Sequence, residues 1–413
     1  MTILRAPNRQ TTDGKEPAVL LEKRKFTVDA NVPINPVLVT SEHAHRATGL
    51  VAIDDEGVKT AARHIGKRLE VESYTPRTWR SHALHVCPPE PYDPSHPETR
   101  RSFDWIFLIS SLNFSFWSEY EGTPYRYGVE WREGWGSEKA VVHTGYWSLV
   151  AAIDRALEEG IPITDPAFYA SEVSCPDSTV SHVFRAAPQS GEVIPLLTER
   201  IAILRQNGEI LCKHFGGSFQ GLYEAFMERT NGRGTALQLV RMVADTFPSF
   251  QDETVYNGQR VYFWKRAQIL VAETWAAFYP PTPAEPHPLF PGPAGPAMHQ
   301  LTMFADYRVP QILHHLKILV YPPELTELLR SHADLPSGSR EEVSIRAASI
   351  LSVERVRQEM LNVQKDGGEE ISSVLIDFYL WDLAKKIEGG TDCIKGMQTN
   401  EILPAHRTRS IWY

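Results

Sequence analysis

Apolar side chains recur at helical intervals along most of the chain, and one stretch shows the pattern most plainly. Val309, Ile312, Leu313, Leu316 and Val320 fall at i, i+3, i+4, i+7 and i+11, which predicts one buried face of a helix. Pro310 suits a first turn, where its missing N–H costs nothing. The residue before a proline avoids the α region, so the helix is expected to open or bend near Val309. Phe263, Ala267, Leu270, Val271, Thr274, Trp275 and Phe278 trace a second face. Lys265 lies off that face, near the helix start, and reads either as a solvated lysine or as an anion contact. Further helices are expected over 57–69 behind Asp54 and Asp55, from Gly145 through Leu157, and over 195–211, 219–227, 237–247 and 371–384. Ser339 with Glu342 three residues on fits a capping box for a helix that runs to about Val363, where Gly367 and Gly368 break it.

Period-two alternation is rarer. Tyr125, Tyr127, Val129 and Trp131 alternate, and 140–142 follow Gly-containing turn residues, the clearest hairpin signal in the chain. Residues 103–117 are apolar and dense in aromatics, as expected of a buried helix or turn. Residues 88–97 are Pro-rich and predict a loop, with His85 at its lip. Phe215-Gly-Gly-Ser218 and Asn257-Gly258 read as turns. Eight prolines between Pro280 and Pro296 predict a stiff surface insertion. It separates the Lys265 helix from the one near Val309 and leaves those two as neighbours. Residues 1–45 are polar and weakly periodic, a flexible arm. The rest, 46–413, reads as a single, mostly α domain with a small β-hairpin.

Composition narrows the function classes. The chain has 413 residues, 42% of them hydrophobic, ample for a large core. Its 42 basic and 51 acidic residues give a net charge of −9, which argues against non-specific gripping of a phosphate backbone. Cys87, Cys175, Cys212 and Cys393 show no C-x-x-C spacing and read as separate reduced thiols of a cytoplasmic protein. No apolar run approaches the ~20 residues of a membrane span, and no secretory leader is evident. No His/Cys/Asp cluster has metal-ligand spacing, so neither metal nor cofactor is expected.

Three carboxylates stand in aromatic settings. Asp306 sits at a helix mouth beside Phe304, Tyr307 and Arg308. The helix dipole favours its ionised form, although a plain N-cap is the simpler role. Asp377 and Asp382 flank Phe378-Tyr-Leu-Trp381. Five residues apart, they are about 140° around an ideal helix and do not share a face. Charged groups within so apolar a segment need partners, supplied by the protein or by a cationic or N–H-rich ligand.

Longer motifs go further. Leu112-Asn-Phe-Ser-Phe-Trp-Ser118, Gly145-Tyr-Trp-Ser-Leu149, Arg155-Ala-Leu-Glu-Glu-Gly-Ile-Pro-Ile-Thr164, Phe215-Gly-Gly-Ser-Phe219, Lys265-Arg-Ala-Gln-Ile-Leu-Val271, Met303-Phe-Ala-Asp-Tyr-Arg308 and Leu380-Trp-Asp382 together make the sequence resemble the queuosine salvage protein family, from about residue 50 onward. The resemblance implies a helical bundle similar to helix-hairpin-helix DNA glycosylases, although the Gly-rich DNA-gripping hairpin is replaced by Val261-Tyr-Phe-Trp264. It implies hydrolysis of the N-glycosidic bond of queuosine 5′-monophosphate to release queuine. Asp306 would be catalytic, with the base between Phe304 and Phe378, and His85, Asp377 and Asp382 completing the pocket. Lys265 is the candidate for the 5′-phosphate. Such a protein acts as a monomer on a small molecule, without stable nucleic-acid binding or a membrane. The alternatives from other classes are a nucleic-acid base glycosylase and a non-catalytic queuine-binding protein.

Overall fold

The computed structural model describes residues 34–282, 285–363, 371–389, 394 and 397–413. Helices dominate these residues, as the periodicity predicts. The first third holds α1 (Pro36–Thr48), β1 (Ala52–Ile53), α2 (Asp55–Val71), α3 (Pro97–Ser111), β2 (Gly128–Arg132), β3 (Ala140–Thr144) and α4 (Tyr146–Glu158). The middle holds α5 (Pro166–Ala170), α6 (Asp177–Val183), α7 (Leu197–His214), α8 (Phe219–Arg229), α9 (Ala236–Thr246), β4 (Glu253–Tyr256), β5 (Gln259–Tyr262) and α10 (Lys265–Ala277). The last third holds α11 (Arg308–His315), β6 (Leu319–Val320), α12 (Pro323–Arg330), α13 (Arg340–Val363) and α14 (Ser373–Glu388).

The strands form three separate antiparallel pairs, β1 with β6, β2 with β3 and β4 with β5. None is large enough to organise the fold. That role falls to α10, every residue of which is buried. It packs against α3 and α9, while α13 packs against α1, α2, α11 and α14. A helix buried all round has no solvent stripe, so its polar residues must find partners inside. Gln268 exchanges hydrogen bonds with Thr302, and Arg266 donates to the carbonyls of Ser111 and Ser249. Lys265 is buried for the same reason, and the solvated-lysine reading of its position fails.

Several boundaries differ from the sequence reading. The expected arm over 1–45 includes most of α1, which packs on α13, buries Val37 and Ala44 and bonds Thr48 to Ser344 at 3.1 Å; residues 1–33 lie outside the described residues, as do Gly367 and Gly368. Within 103–117 only the first part is helical, because α3 ends at Ser111. The helix after Asp306 stops at His315. Lys317 takes a left-handed φ of 61°, the amide of Ile318 bonds back to the Leu313 carbonyl, and Val320 lands on β6, half exposed. The proline-rich segment is not all surface, because Leu289 and Phe290 are buried. Asn257 and Gly258, read only as a turn, take left-handed φ values of 48° and 76°. That geometry joins paired strands in a tight hairpin. Ser339 caps α13 by accepting the Glu342 amide at 3.2 Å, but the Glu342 carboxylate turns to the Gly338 amide at 3.0 Å and leaves the box half built.

Candidate active site

A cavity of about 590 Å³ opens where α10, α14, the start of α4, the segment 74–85 with its 3-10 helix Pro76–Ser81, and the loop before α11 converge. Its walls hold all the residues singled out from sequence: His85, Lys265, Phe304, Asp306, Asp377, Phe378 and Asp382.

Asp306 precedes α11 and does cap it. Its Oδ1 accepts from the amides of Arg308 and Val309, both at 2.9 Å. The cap and the cavity-facing role therefore coexist, because one oxygen satisfies both amides. Burial raises the Asp306 carboxyl above its usual range, and the Lys265 ammonium and the two amides pull it back. Helix geometry alone, as read from sequence, omitted that burial. Lys265 stands at the first position of α10, its ammonium donating to the Asn113 carbonyl at 3.0 Å and to Asn113 Oδ1 at 3.3 Å. Burial pushes Lys265 down to about 8, with Asp306 acting in the opposite sense.

The preceding peptide is pinned from α14, where Asp377 Oδ1 accepts the Phe304 amide at 3.0 Å. Burial, then the charge of Asp306, lifts Asp377 well above the carboxylate range. Phe304 and Phe378 face each other with centroids 6.0 Å apart and planes at 54°. Sandwiching a base takes two stacking distances, about 7 Å of parallel gap, so one ring must turn to admit it. Phe378 is the less buried of the two. Asp382 accepts from the Tyr74 hydroxyl at 2.6 Å, and burial raises its carboxyl. Asp377 and Asp382 do differ in direction, as the helical angle requires. The cavity spans more than one face of α14, so both still line it.

His85 stacks on Trp79 with centroids 4.0 Å apart, and its Nδ1 lies 2.6 Å from the Trp79 carbonyl. That carbonyl can only accept, so Nδ1 carries the proton. Burial lowers the ring to about 3 and keeps it neutral. Nε2 is then an acceptor, and it is buried without a protein partner.

Sequence reasoning missed other wall residues. Glu273 lies eight residues after Lys265, two turns along the same face of α10. It accepts from the Tyr146 and Ser110 hydroxyls, each at 3.3 Å, and burial lifts it to about 7. The i, i+4, i+8 series Lys265, Ile269, Glu273 was visible in the sequence once α10 was known to be buried all round. Tyr74 carried no local signal. Among the described residues no group of three or more His, Cys, Asp and Glu is arranged for a metal, and no helix is long and apolar enough to cross a membrane.

Residues 92–413 match the model of a family described as queuosine salvage protein. A Schizosaccharomyces pombe protein named queuosine 5′-phosphate N-glycosylase/hydrolase is 36% identical over 389 residues, covering 91% of this chain and 99% of that one. This chain belongs to the queuosine salvage protein family. Proteins of the same name from Mus musculus, 37% identical over 88% of this chain and 94% of the relative, and from Sphaerobacter thermophilus, 35% identical over 91% and 97%, are similar along nearly their whole lengths. The family match takes in the cavity walls from α4 through α14. Only the 74–85 segment, with Tyr74 and His85, precedes it, and the relatives, which cover 88–91% of this chain, reach that region too.

Proposed function

We propose that this protein hydrolyses the N-glycosidic bond of queuosine 5′-monophosphate and releases queuine for salvage into tRNA modification. One observation carries the reading: in a chain of this family, a carboxylate, a buried cation and a facing pair of aromatic rings line one cavity large enough for a nucleotide. In the reaction the C1′–N9 bond breaks and its electron pair leaves with the base, which gains a proton. Water supplies that proton and the hydroxyl that reaches C1′, so the products are queuine and ribose 5-phosphate.

Each residue type suits a part of that substrate. The 7-deazaguanine ring stacks between Phe304 and Phe378, with Phe378 turning to admit it. The N–H-rich ring edge and the cationic secondary amine of the side arm match carboxylates, which Asp377 and Asp382 supply, and His85 Nε2 accepts a further N–H. The ring lacks N7, the usual site of leaving-group protonation in purines. Stabilisation therefore concentrates at the sugar, where the Asp306 carboxylate faces the developing oxocarbenium charge. Lys265 serves best as the cation that keeps Asp306 ionised, because it is buried and is the foremost charge holding the Asp306 carboxyl down. Arg308 and Lys385, on the same cavity, supply positive charge for the 5′-phosphate; they share the single carboxylate of Glu388, at 3.5 and 2.9 Å, which leaves one positive charge in excess. We read the succession of α10, the 304–308 loop and α11 as similar to the helix-hairpin-helix DNA glycosylases. We read the protein as a cytoplasmic monomer, and the net charge of −9 supports a free nucleotide, not nucleic acid, as its substrate.

The test is incubation with queuosine 5′-monophosphate and detection of free queuine by mass spectrometry. Release by the wild type and its loss in Asp306→Ala support the reading; an inactive wild type or an unimpaired variant overturns it.

A further inference from the structure

Asp306 and Lys265 belong to segments separated by the proline-rich insertion, yet their side chains must hold a fixed spacing for the ammonium to act on the carboxylate. Covalent neighbours do not provide it. Fully buried Arg346, on α13, reaches both segments. Its Nε donates to the carbonyl of Ala305, the residue before Asp306, at 2.9 Å. Its two terminal nitrogens fork onto Asp252, at 3.0 Å to Oδ1 and 2.5 Å to Oδ2. Asp252 in turn accepts the Lys265 amide on Oδ2 at 3.2 Å, and its own carbonyl accepts the amides of Phe263 and Trp264 at 2.9 and 3.1 Å.

Those three bonds surround a strained point. Trp264 has a left-handed φ of 48°, a conformation that a bulky residue keeps only where its surroundings over-determine it. The turn at Trp264 sets the direction in which α10 presents Lys265. The guanidinium is itself held flat, with the Phe263 ring 3.9 Å from its carbon on one side and the Tyr413 ring 4.2 Å on the other. Glu342, one turn before Arg346, adds a contact at 3.3 Å. All three nitrogens of Arg346 thus donate to defined acceptors, in the fixed fork geometry that distinguishes a guanidinium from an ammonium.

We propose that the Arg346–Asp252 pair is a positioning device for the reaction: it ties the first peptide of α10 to the peptide before Asp306 and so fixes the spacing of Lys265 and Asp306. The inference rests on the roles given to those two residues above. Neither Arg346 nor Asp252 touches substrate. Both act through the residues they hold. A displacement of about 1 Å between reacting groups is enough to cost ~100-fold in rate, so loosening the tie is read in turnover before it is read in binding.

The test compares wild type with Arg346→Lys, which keeps the buried charge but loses the fork and the Ala305 bond. A second variant, Arg346→Met with Asp252→Asn and Glu342→Gln, removes all three buried charges of the cluster together and avoids stranding one of them in the core; it stands in if the first does not fold. Turnover on queuosine 5′-monophosphate, queuine affinity, thermal unfolding and amide exchange are measured on each. The expected result is a fall in kcat of roughly 10- to 100-fold with KM and queuine affinity within about threefold of wild type. Amide exchange should quicken at 263–266 and at 304–309. A folded variant with wild-type kcat and unchanged exchange in both segments overturns the proposal. So does a loss of kcat that merely tracks the fraction of folded protein. If the wild type itself releases no queuine, the functional reading falls, and exchange in the two segments still decides whether the tie exists.

Discussion

Replacing Lys265 by Met should make the protein harder to unfold and slower in its chemistry. The usual lysine value of 10.5 is pushed down to about 8 by burial, which corresponds to about 3 kcal/mol held against the charged form. At pH 7 the side chain is protonated in both native and unfolded states, so that cost is fully present. Between pH 8 and 10.5 the unfolded chain still binds a proton that the native state has released, and stability climbs with pH. Methionine has similar length and carries no such cost. The attraction of Asp306 is already contained in the value of about 8; against the gain stand the two bonds to Asn113, at 3.0 and 3.3 Å, whose acceptors water from the cavity re-satisfies in part. Leaving a buried acceptor unmet costs about 1–3 kcal/mol, so the net gain at pH 7 is about 0–2 kcal/mol. Thermal unfolding at pH 7 and 9.5 checks it: the variant should match or exceed the wild-type Tm at pH 7, and the difference should shrink at pH 9.5. Turnover should fall by about 10²- to 10³-fold, the scale of losing one preorganised charge in an active site. A variant that unfolds several degrees below wild type by the same margin at both pH values, or that keeps full turnover, would refute the reasoning.

Asp306→Asn retains an oxygen for the amides of Arg308 and Val309 and should fold and bind queuine normally. A unit charge about 4 Å from the sugar cation is worth ~4 kcal/mol at an effective dielectric of 20, so single-turnover release should slow by about 10³-fold. Tyr74→Phe removes the 2.6 Å bond to Asp382; at ~1.4 kcal/mol for one such bond, KM should rise about tenfold with kcat little changed. Glu273 is lifted to about 7 by burial, so the native state binds more protons than the unfolded chain between the ordinary glutamate value and pH 7, and stability declines with rising pH across that window. Urea melts at pH 5 and pH 8 should show that decline in the wild type and lose this part of it in Glu273→Gln.

What could be read from the sequence followed from period and punctuation. The 3.6-residue pattern located most helices to within a turn or so, and the alternation at 125–131 found the β2–β3 hairpin. The polar members of the site were harder. Lys265 was set off the apolar face of α10 because the pattern shows which residues are apolar, not whether the opposite side is covered. Glu273 was overlooked for the same reason. Tyr74 and the Arg346–Asp252 pair depend on contacts between distant segments, which no local spacing encodes. The apolar spacing to Val320 overran its helix because the left-handed turn at Lys317 carries no glycine to announce it. Asp306, Asp377 and Asp382 were found because carboxylates among aromatics are chemically anomalous, and family motifs then gathered them into one pocket.

The site draws its walls from Tyr74 at one extreme and from Asp382 and Tyr413 at the other, so it cannot be assembled by any early part of the chain. During synthesis α10 and the Asp306 loop leave the ribosome well before α14 supplies their opposing wall, and Arg346 arrives only after the residues it joins. A nascent chain halted before α14 would hold a charged lysine and a carboxylate without the enclosure that gives either its chemistry. Activity should therefore appear in one step, once α14 and Tyr413 have emerged, and a protein clipped between α13 and α14 should recover it only if both pieces stay together.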